Sequence, residues 1–455
     1  MRDLGWRPMK SFAAAGHRGR NAQKENLMRK ILMTVVVCLL GSFAAFAAPP
    51  PKVVYVRCGK LIYDAEKAPI APAVVVITDG KVTAVGKDIA VPAGAEQIDL
   101  SSYTVLPGFV DAHIHIWSGA FGQSVSEPLA ALRGSKAMSY ALSSGVVGAR
   151  VMATQGFIDV ALKDAIEDGT IPGPHLVPAA HAISIPGGHG DFNAQPPYLP
   201  MDDFYTPLHG FINSTADAEK AVHLQLKYGA RVIKVMASGG VLSPLDSPTS
   251  EQLSPEELKV IVEQAHMAHV KVGSHAENIR SIRASLDAGV DSIEHGSEMD
   301  QASADFMKSH GIVFVPTVFV VEESVANGVK MHFPEYVITK VNALAKTHFP
   351  SFQLALHSGV TIAAGSDHSY GPGTGTVRDE MISEVKYGMT PQQALISGTK
   401  TSAALLGLEQ LGTIETGKEG DMVAVEGDPL SDIHALERVR AVVFQGKSVA
   451  PANRQ

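Results

Sequence analysis

His113 and His115 stand two residues apart in the run Gly108-Phe109-Val110-Asp111-Ala112-His113-Ile114-His115. On a β-strand, residues i and i+2 face the same side, so both imidazoles can address one cation. Alone, a pair at this spacing is weak evidence, because surface and core pairs of the kind are common. The pattern gains weight from residues of ligand type at the ends of other apolar runs. These are Lys234 in Val232-Ile233-Lys234-Val235, His275 in Val272-Gly273-Ser274-His275, His295 in Ile293-Glu294-His295-Gly296, and Asp367 in Ala363-Ala364-Gly365-Ser366-Asp367. Singly, each has an ordinary structural explanation: a hydrogen-bonded strand histidine, or an aspartate capping a helix. Lys234 resists that explanation, since an ammonium in an apolar strand is costly to bury without a partner. Jointly, the six residues predict a metal site.

They can meet only if successive strand ends converge. Eight β-like runs, near 109–116, 146–152, 175–180, 231–237, 270–275, 291–295, 312–318 and 360–366, are each followed by polar or Gly-rich residues and a helical pattern. That alternation predicts a parallel α/β fold. Helix starts are marked at Ser254-Pro255-Glu256-Glu257 and at Thr390-Pro391, where a capping residue precedes proline at the first helical position. The interval from His113 to Asp367 is close to the ~250 residues of an eight-stranded barrel, whose sites lie at the C-terminal ends of the strands. On either side lie short β-branched runs: Val53–Val56, Ala73–Ile77 and Val82–Val85 before, Asp421–Val425 and Val439–Phe444 after. Asp79-Gly80 between two of them signals a hairpin. The expected architecture is a (β/α)8 TIM barrel over 107–407 with a small β-sandwich domain built jointly from 48–106 and 408–455.

The 455 residues are 45% hydrophobic and 18% charged, which excludes disordered and collagen-like classes. Net charge is −8 with no basic block outside the extreme N-terminus, so nucleic acid is not an expected partner. Arg29 and Lys30, the apolar run Ile31 to Ala48, and its closing Ala45-Phe46-Ala47 follow the order of a secretory signal. We expect an upstream extension over 1–27, a signal peptide over 28–47 cleaved near Ala47, and a periplasmic or secreted chain with no stable membrane anchor. Cys58 then remains as the single cysteine, so no internal disulfide can form.

These motifs resemble the amidohydrolase superfamily, in particular its two-metal branch of Xaa-Pro dipeptidases, C-terminal Arg/Lys carboxypeptidases and ochratoxin-hydrolysing amidases. The likeness spans roughly 53 to 449 and rests on Leu106 through His115, Val232 through Gly240, Ser292 through Gly296, Gly365-Ser366-Asp367 and Gly417-Lys418-Glu419-Gly420-Asp421. The resemblance implies that His113 and His115 hold one divalent metal, that His275 and His295 hold the other, and that a carboxylated Lys234 bridges them, zinc being the expected ion. It implies that Asp367 binds the first metal and acts as general base and acid. Metal-bound water, its pKa lowered towards 7, would attack an amide of a dipeptide or N-acyl amino acid, ochratoxin-like amides included, without a covalent intermediate. A homo-oligomer acting on such small substrates is expected.

His189, in Pro186-Gly187-Gly188-His189-Gly190-Asp191, resembles the branch histidine that contacts the substrate carbonyl or oxyanion; a structural loop histidine is the alternative. Glu277 departs from the branch, whose dipeptidases resemble His-Ala-Tyr or His-Ala-His where this chain has His275-Ala276-Glu277. A glutamate there would repel a substrate carboxylate. It would greet a cationic group, support the metal ligands, or begin a solvated helix. Arg150, Arg378 and Tyr370 are further candidates to meet a carboxylate. Hydrolysis of a cyclic amide or another non-peptide C–N bond, as in imidazolonepropionases or aminohydrolases, is the alternative on the same core. Superfamily deaminases usually lack the bridging lysine and place Glu where this chain has Asn278. A metal-free relative would have lost ligands, and all six are present.

Overall fold

The computed structural model describes residues 28–30, 51–116, 125–191 and 204–451. The chain divides into two compact units, Met1–Pro51 and Lys52–Gln455. Of the first, residues 28–30 are helical; the rest of the expected signal peptide lies outside the described residues. No described helix is long and apolar enough to cross a membrane.

In the second unit the two ends of the chain build one sheet. Strands β1 (Val53–Leu61), β2 (Ala73–Thr78), β3 (Lys81–Gly86) and β4 (Glu96–Pro107) join three late strands, β12 (Met422–Val425), β13 (Val439–Phe444) and β14 (Lys447–Val449). Their order is β14-β13-β12-β4-β1-β2-β3. The hairpin between β2 and β3 turns at Asp79 and Gly80, with φ of 49° and 84°, the left-handed pair that a tight hairpin requires. β4 joins the halves: it runs parallel to β1 and antiparallel to β12, with Leu106 opposite Val423. Hydrogen bonding is thus continuous across seven strands where a sandwich is expected, because long β4 is paired along both edges. Val56, Val75, Ile77, Val105, Met422 and Val443 share one core cluster on this sheet. Cys58 is buried with them and free, and burial pushes its thiol up to about 12.

Between these ends the chain alternates strand and helix, giving an α/β fold. Strands β5 (Phe109–Ile114), β6 (Val146–Val151) and β7 (His175–Pro178) form a three-stranded parallel sheet; β8 (Val232–Met236), β9 (Lys271–Ala276), β10 (Ser292–His295) and β11 (Val313–Val315) form a four-stranded one. Each predicted run from 109 to 318 therefore contains a strand. The eighth, 360–366, does not form a regular strand. It still hydrogen-bonds on both sides: Phe314 to Thr361 and Ala363, and Ala112 to Ala364. On the other flank, Ile183 after β7 exchanges backbone bonds with Lys234 and Met236 of β8.

The helices are α1 (Glu127–Ser143), α2 (Ile158–Glu167), α3 (Thr215–Lys227), α4 (Pro255–Met267), α5 (Ile279–Ala288), α6 (Gln301–His310), α7 (Val318–Asn327), α8 (Glu335–Ser358), α9 (Val377–Lys386), α10 (Pro391–Ile396) and α11 (Ser402–Leu406). Both predicted starts are present as capping boxes, Ser254 with Glu257 and Thr390 with Gln393. Phe109, Ile114, Ile233, Val235, Ile293, Phe314 and Phe352 belong to the main core. Burial on both faces explains why these strands read as continuous apolar runs.

Candidate metal centre

His113 lies at the end of β5 and His115 directly after it, β10 ends at His295, and the loop after residue 362 carries Asp367. One ligand-type atom from each of His113, His115 and Asp367 lies within 4.8 Å of the others. Asp367 Oδ1 is 3.1 Å from His115 Nε2 and 3.6 Å from His113 Nε2, and the two Nε2 atoms are 3.3 Å apart. The His295 ring centroid lies 5.1 Å from that of His113 and 4.6 Å from that of His275. Lys234, 1% exposed, feels the charges of Glu294, Asp367 and Glu277, while burial outweighs them and lowers its ammonium to about 8.

The surroundings fix the tautomer of two of these histidines, His113 and His275. Glu294 Oε2 lies 2.8 Å from His113 Nδ1. A carboxylate can only accept, so Nδ1 donates and the lone pair stands on Nε2, towards Asp367. His275 Nε2 is 3.1 Å from the Gly239 carbonyl, so its lone pair is on Nδ1 by the same reasoning. His295 Nδ1 pairs with Thr317 Oγ1 at 2.8 Å. Burial, above all, pushes His113, His275 and His295 well below the usual imidazole range. Neutral rings with directed lone pairs are the form in which histidine binds metals. His113, His115 and Asp367 bring ligand atoms close enough to share one cation, and the donor set fits a metal.

His295, Thr317 and Asp367 have φ of 69°, 52° and 56°. None is glycine, and left-handed backbone is uncommon for such residues outside constrained sites. It turns the three side chains towards the cluster where the strands stop. Gly365 is needed beneath it: a Cβ there would lie 2.7 Å from His113 Cβ.

His189 joins the group. Its ring centroid is 4.2 Å from that of His275, its Nδ1 pairs with Ser243 Oγ at 2.8 Å, and burial lowers it to about 4. A Cβ on Gly240 would come within 2.2 Å of the ring, so glycine permits the approach. Glu277 lies under the site, 4% exposed, accepting from Ser297, which also pairs with His348 Nδ1 at 2.8 Å. Burial, chiefly, raises its carboxyl to about 8. Of the three readings of Glu277, burial disagrees with a solvated helix start.

The three residues considered for a substrate carboxylate are instead internal. Arg150 donates from Nε to the Ala112 carbonyl at 2.6 Å, from Nη1 to Ser292 Oγ at 3.1 Å and from Nη2 to Glu294 Oε1 at 2.8 Å. Tyr370 donates to Asp111 at 2.6 Å. Arg378 is 4% exposed and reaches Thr376 and the Leu436 carbonyl. Glu294, Thr317, Ser243 and Asp246 escape a reading of strand-end ligands. Glu294 alone had a signal, a carboxylate inside an apolar strand beside a candidate ligand.

Strand-end histidines and an aspartate on an α/β scaffold define a class of hydrolases. Residues 104–449 match the amidohydrolase family, and this chain belongs to it. It is 32% identical over 431 residues to an ochratoxinase of Aspergillus niger, covering 88% of each chain. Among solved structures, it resembles a Xaa-Pro dipeptidase with methionine in its active site, with 32% identity, TM-score 0.82, and coverage of 87% of this chain and 99% of the other. It also resembles the A. niger ochratoxinase structure, with 31% identity, TM-score 0.77, and coverage of 88% and 96%.

Proposed function

We propose that the chain hydrolyses an amide bond of a dipeptide or N-acyl amino acid, at a centre of two divalent metals, on a closed (β/α)8 barrel. The observation that carries this reading is the meeting of His113, His115, His275, His295 and Asp367 at adjoining strand ends, with Lys234 buried beside them. His113, His115 and Asp367 would hold one metal, His275 and His295 the other, and a carboxylated Lys234 would bridge them; zinc is the ion proposed. When bound, such ions polarise a carbonyl and acidify water. Asp367 takes a proton from the attacking water and returns it to the leaving amine. Glu294 and Gly239 keep His113 and His275 in register. The names of the relatives favour peptide-type amides over cyclic amides or aminohydrolase substrates.

The test is metal content together with amide turnover. Lys234→Ala, purified without bicarbonate or added carboxylates, should fall from about two metals per chain to one or fewer and lose activity, with partial recovery on adding a short carboxylate. Full metal occupancy would remove the bridging role; absence of turnover on a dipeptide and N-acyl amino acid library with zinc-loaded protein would remove the reaction.

We also propose that the chain acts after export as a homo-oligomer, the export resting on the apolar run from Ile31 to Ala48. N-terminal sequencing of protein from a native-like host should give a start at or near Ala48, and a retained Met1 or Met28 would overturn it.

A further inference from the structure

Helix α7 begins without a cap of its own. The first N–H groups of any helix lack partners inside it, and a serine or threonine just before the helix is the usual remedy. Thr317 stands at that position, yet its side chain makes no capping bond to the helix. Its Oγ1 is turned to His295 Nδ1, 2.8 Å away, and its φ of 52° departs from the extended backbone of a capping residue. The cap comes instead from α9. Glu380 takes the Val318 N–H on Oε1 at 2.8 Å and the Phe319 N–H on Oε2 at 2.7 Å.

Burial makes this substitution necessary. Thr317, Val318 and Glu380 are all fully buried, so water does not stand in for a missing acceptor, and an orphaned N–H there is costly. The partial positive charge of a helix start also favours an acidic side chain at that place. In this arrangement Thr317 serves His295, and the helix depends on a residue from another element.

We propose that Glu380 is a positioning residue for His295: by capping α7 from α9, it releases Thr317 to hold the His295 ring at the metal centre. The proposal rests on the metal-centre reading above and adds to it a group that touches neither metal nor substrate. With one Glu380 acceptor lost, either an N–H of α7 stays buried without a partner or Thr317 turns back to it, and the ring loses its anchor. An ordinary cap would contribute to stability alone.

The test is a double-mutant cycle on zinc affinity, read by competition with a chelator. Thr317→Val, nearly isosteric, should weaken zinc binding by about 10- to 100-fold, as when other supports of metal-bound histidines are removed. Glu380→Gln keeps the shape but has a single acceptor oxygen, and should weaken it by about fivefold to tenfold, the factor that one hydrogen bond contributes. Placed on Thr317→Val, the same change should cost less than about twofold further, because the contact through which it acts is already gone. On Thr317→Ser, which keeps the hydroxyl, its full effect should remain. Zinc affinity unchanged by Glu380→Gln, a full further loss on Thr317→Val, or no loss on Thr317→Ser would overturn the proposal. Should Glu380→Gln fail to fold, a crystal structure of the zinc-loaded wild type decides. Thr317 Oγ1 on His295 Nδ1, with Glu380 across both N–H groups, is expected; Thr317 Oγ1 bonded to α7, or zinc on Nδ1 itself, overturns it. Wild type that binds no zinc removes the metal-centre reading and this role with it, whereas zinc bound with additive losses removes this role alone.

Discussion

Asp367→Asn should fold, retain much of its metal and lose turnover by about 10²- to 10⁴-fold, the range a general base contributes. The side chain is isosteric, and asparagine tolerates the left-handed backbone at φ 56° as well as aspartate does. What disappears is the proton acceptor. Burial works against the charge of Asp367, yet His113, His115 and Lys234 outweigh it and hold the carboxyl well below its usual range. It is therefore ionised wherever the enzyme would work. The sign of the linked stability follows: with the folded pKa below the unfolded value near 3.9, the ionised group stabilises the fold above about pH 4 and ceases to do so on acidification. Wild type and variant should therefore converge in stability at low pH. A kcat near wild type in Asp367→Asn would sink the assignment.

Arg150→Met should be the most destabilising single change near the site. Arg150 and Glu294 form a fully enclosed ion pair, with side chains 2% and 0% exposed. Removing the guanidinium strands a buried carboxylate, at a cost of about 3–5 kcal/mol. The same carboxylate orients His113 through Nδ1, so metal affinity should fall by about 10- to 100-fold, as when other supports of metal-bound histidines are removed. Urea titration and competition with a chelator measure the two effects separately. Unchanged denaturation and unchanged metal affinity together would show that Arg150 only fills space.

The candidate ligands were legible because each stands out against its neighbours: a histidine, lysine or aspartate at the end of an apolar strand has few other uses. Seven strands of the alternating α/β region were legible for the same reason. The run 360–366 reads like a strand, but tertiary bonds to Phe314 and Ala112 hold it without a regular ladder. The same argument from buried charge that singled out Lys234 applied equally to Arg150 in Val147-Gly148-Ala149-Arg150-Val151. Its partner, Glu294, lies far along the chain and becomes visible only when β6 and β10 face each other. Ser243 and Asp246 left no signal, since in sequence they are ordinary members of a Pro- and Ser-rich loop. Periodicity reports which way a strand faces, whereas proton placement depends on partners that only folding brings together.

The sheet shared by the two ends of the chain has a consequence for folding order. Leu106 of β4 is laid against Val423 of β12, so one edge of β4 waits until β12 has been synthesised. Contacts so distant in sequence make closure slow. Until then β4 presents unpaired amides and carbonyls, an invitation to pair with another nascent chain. The segment from β12 onwards therefore acts as a clasp: a ribosome stalled before β12 would release a chain with its candidate ligands but an open seam, and truncation there should appear first as aggregation during synthesis.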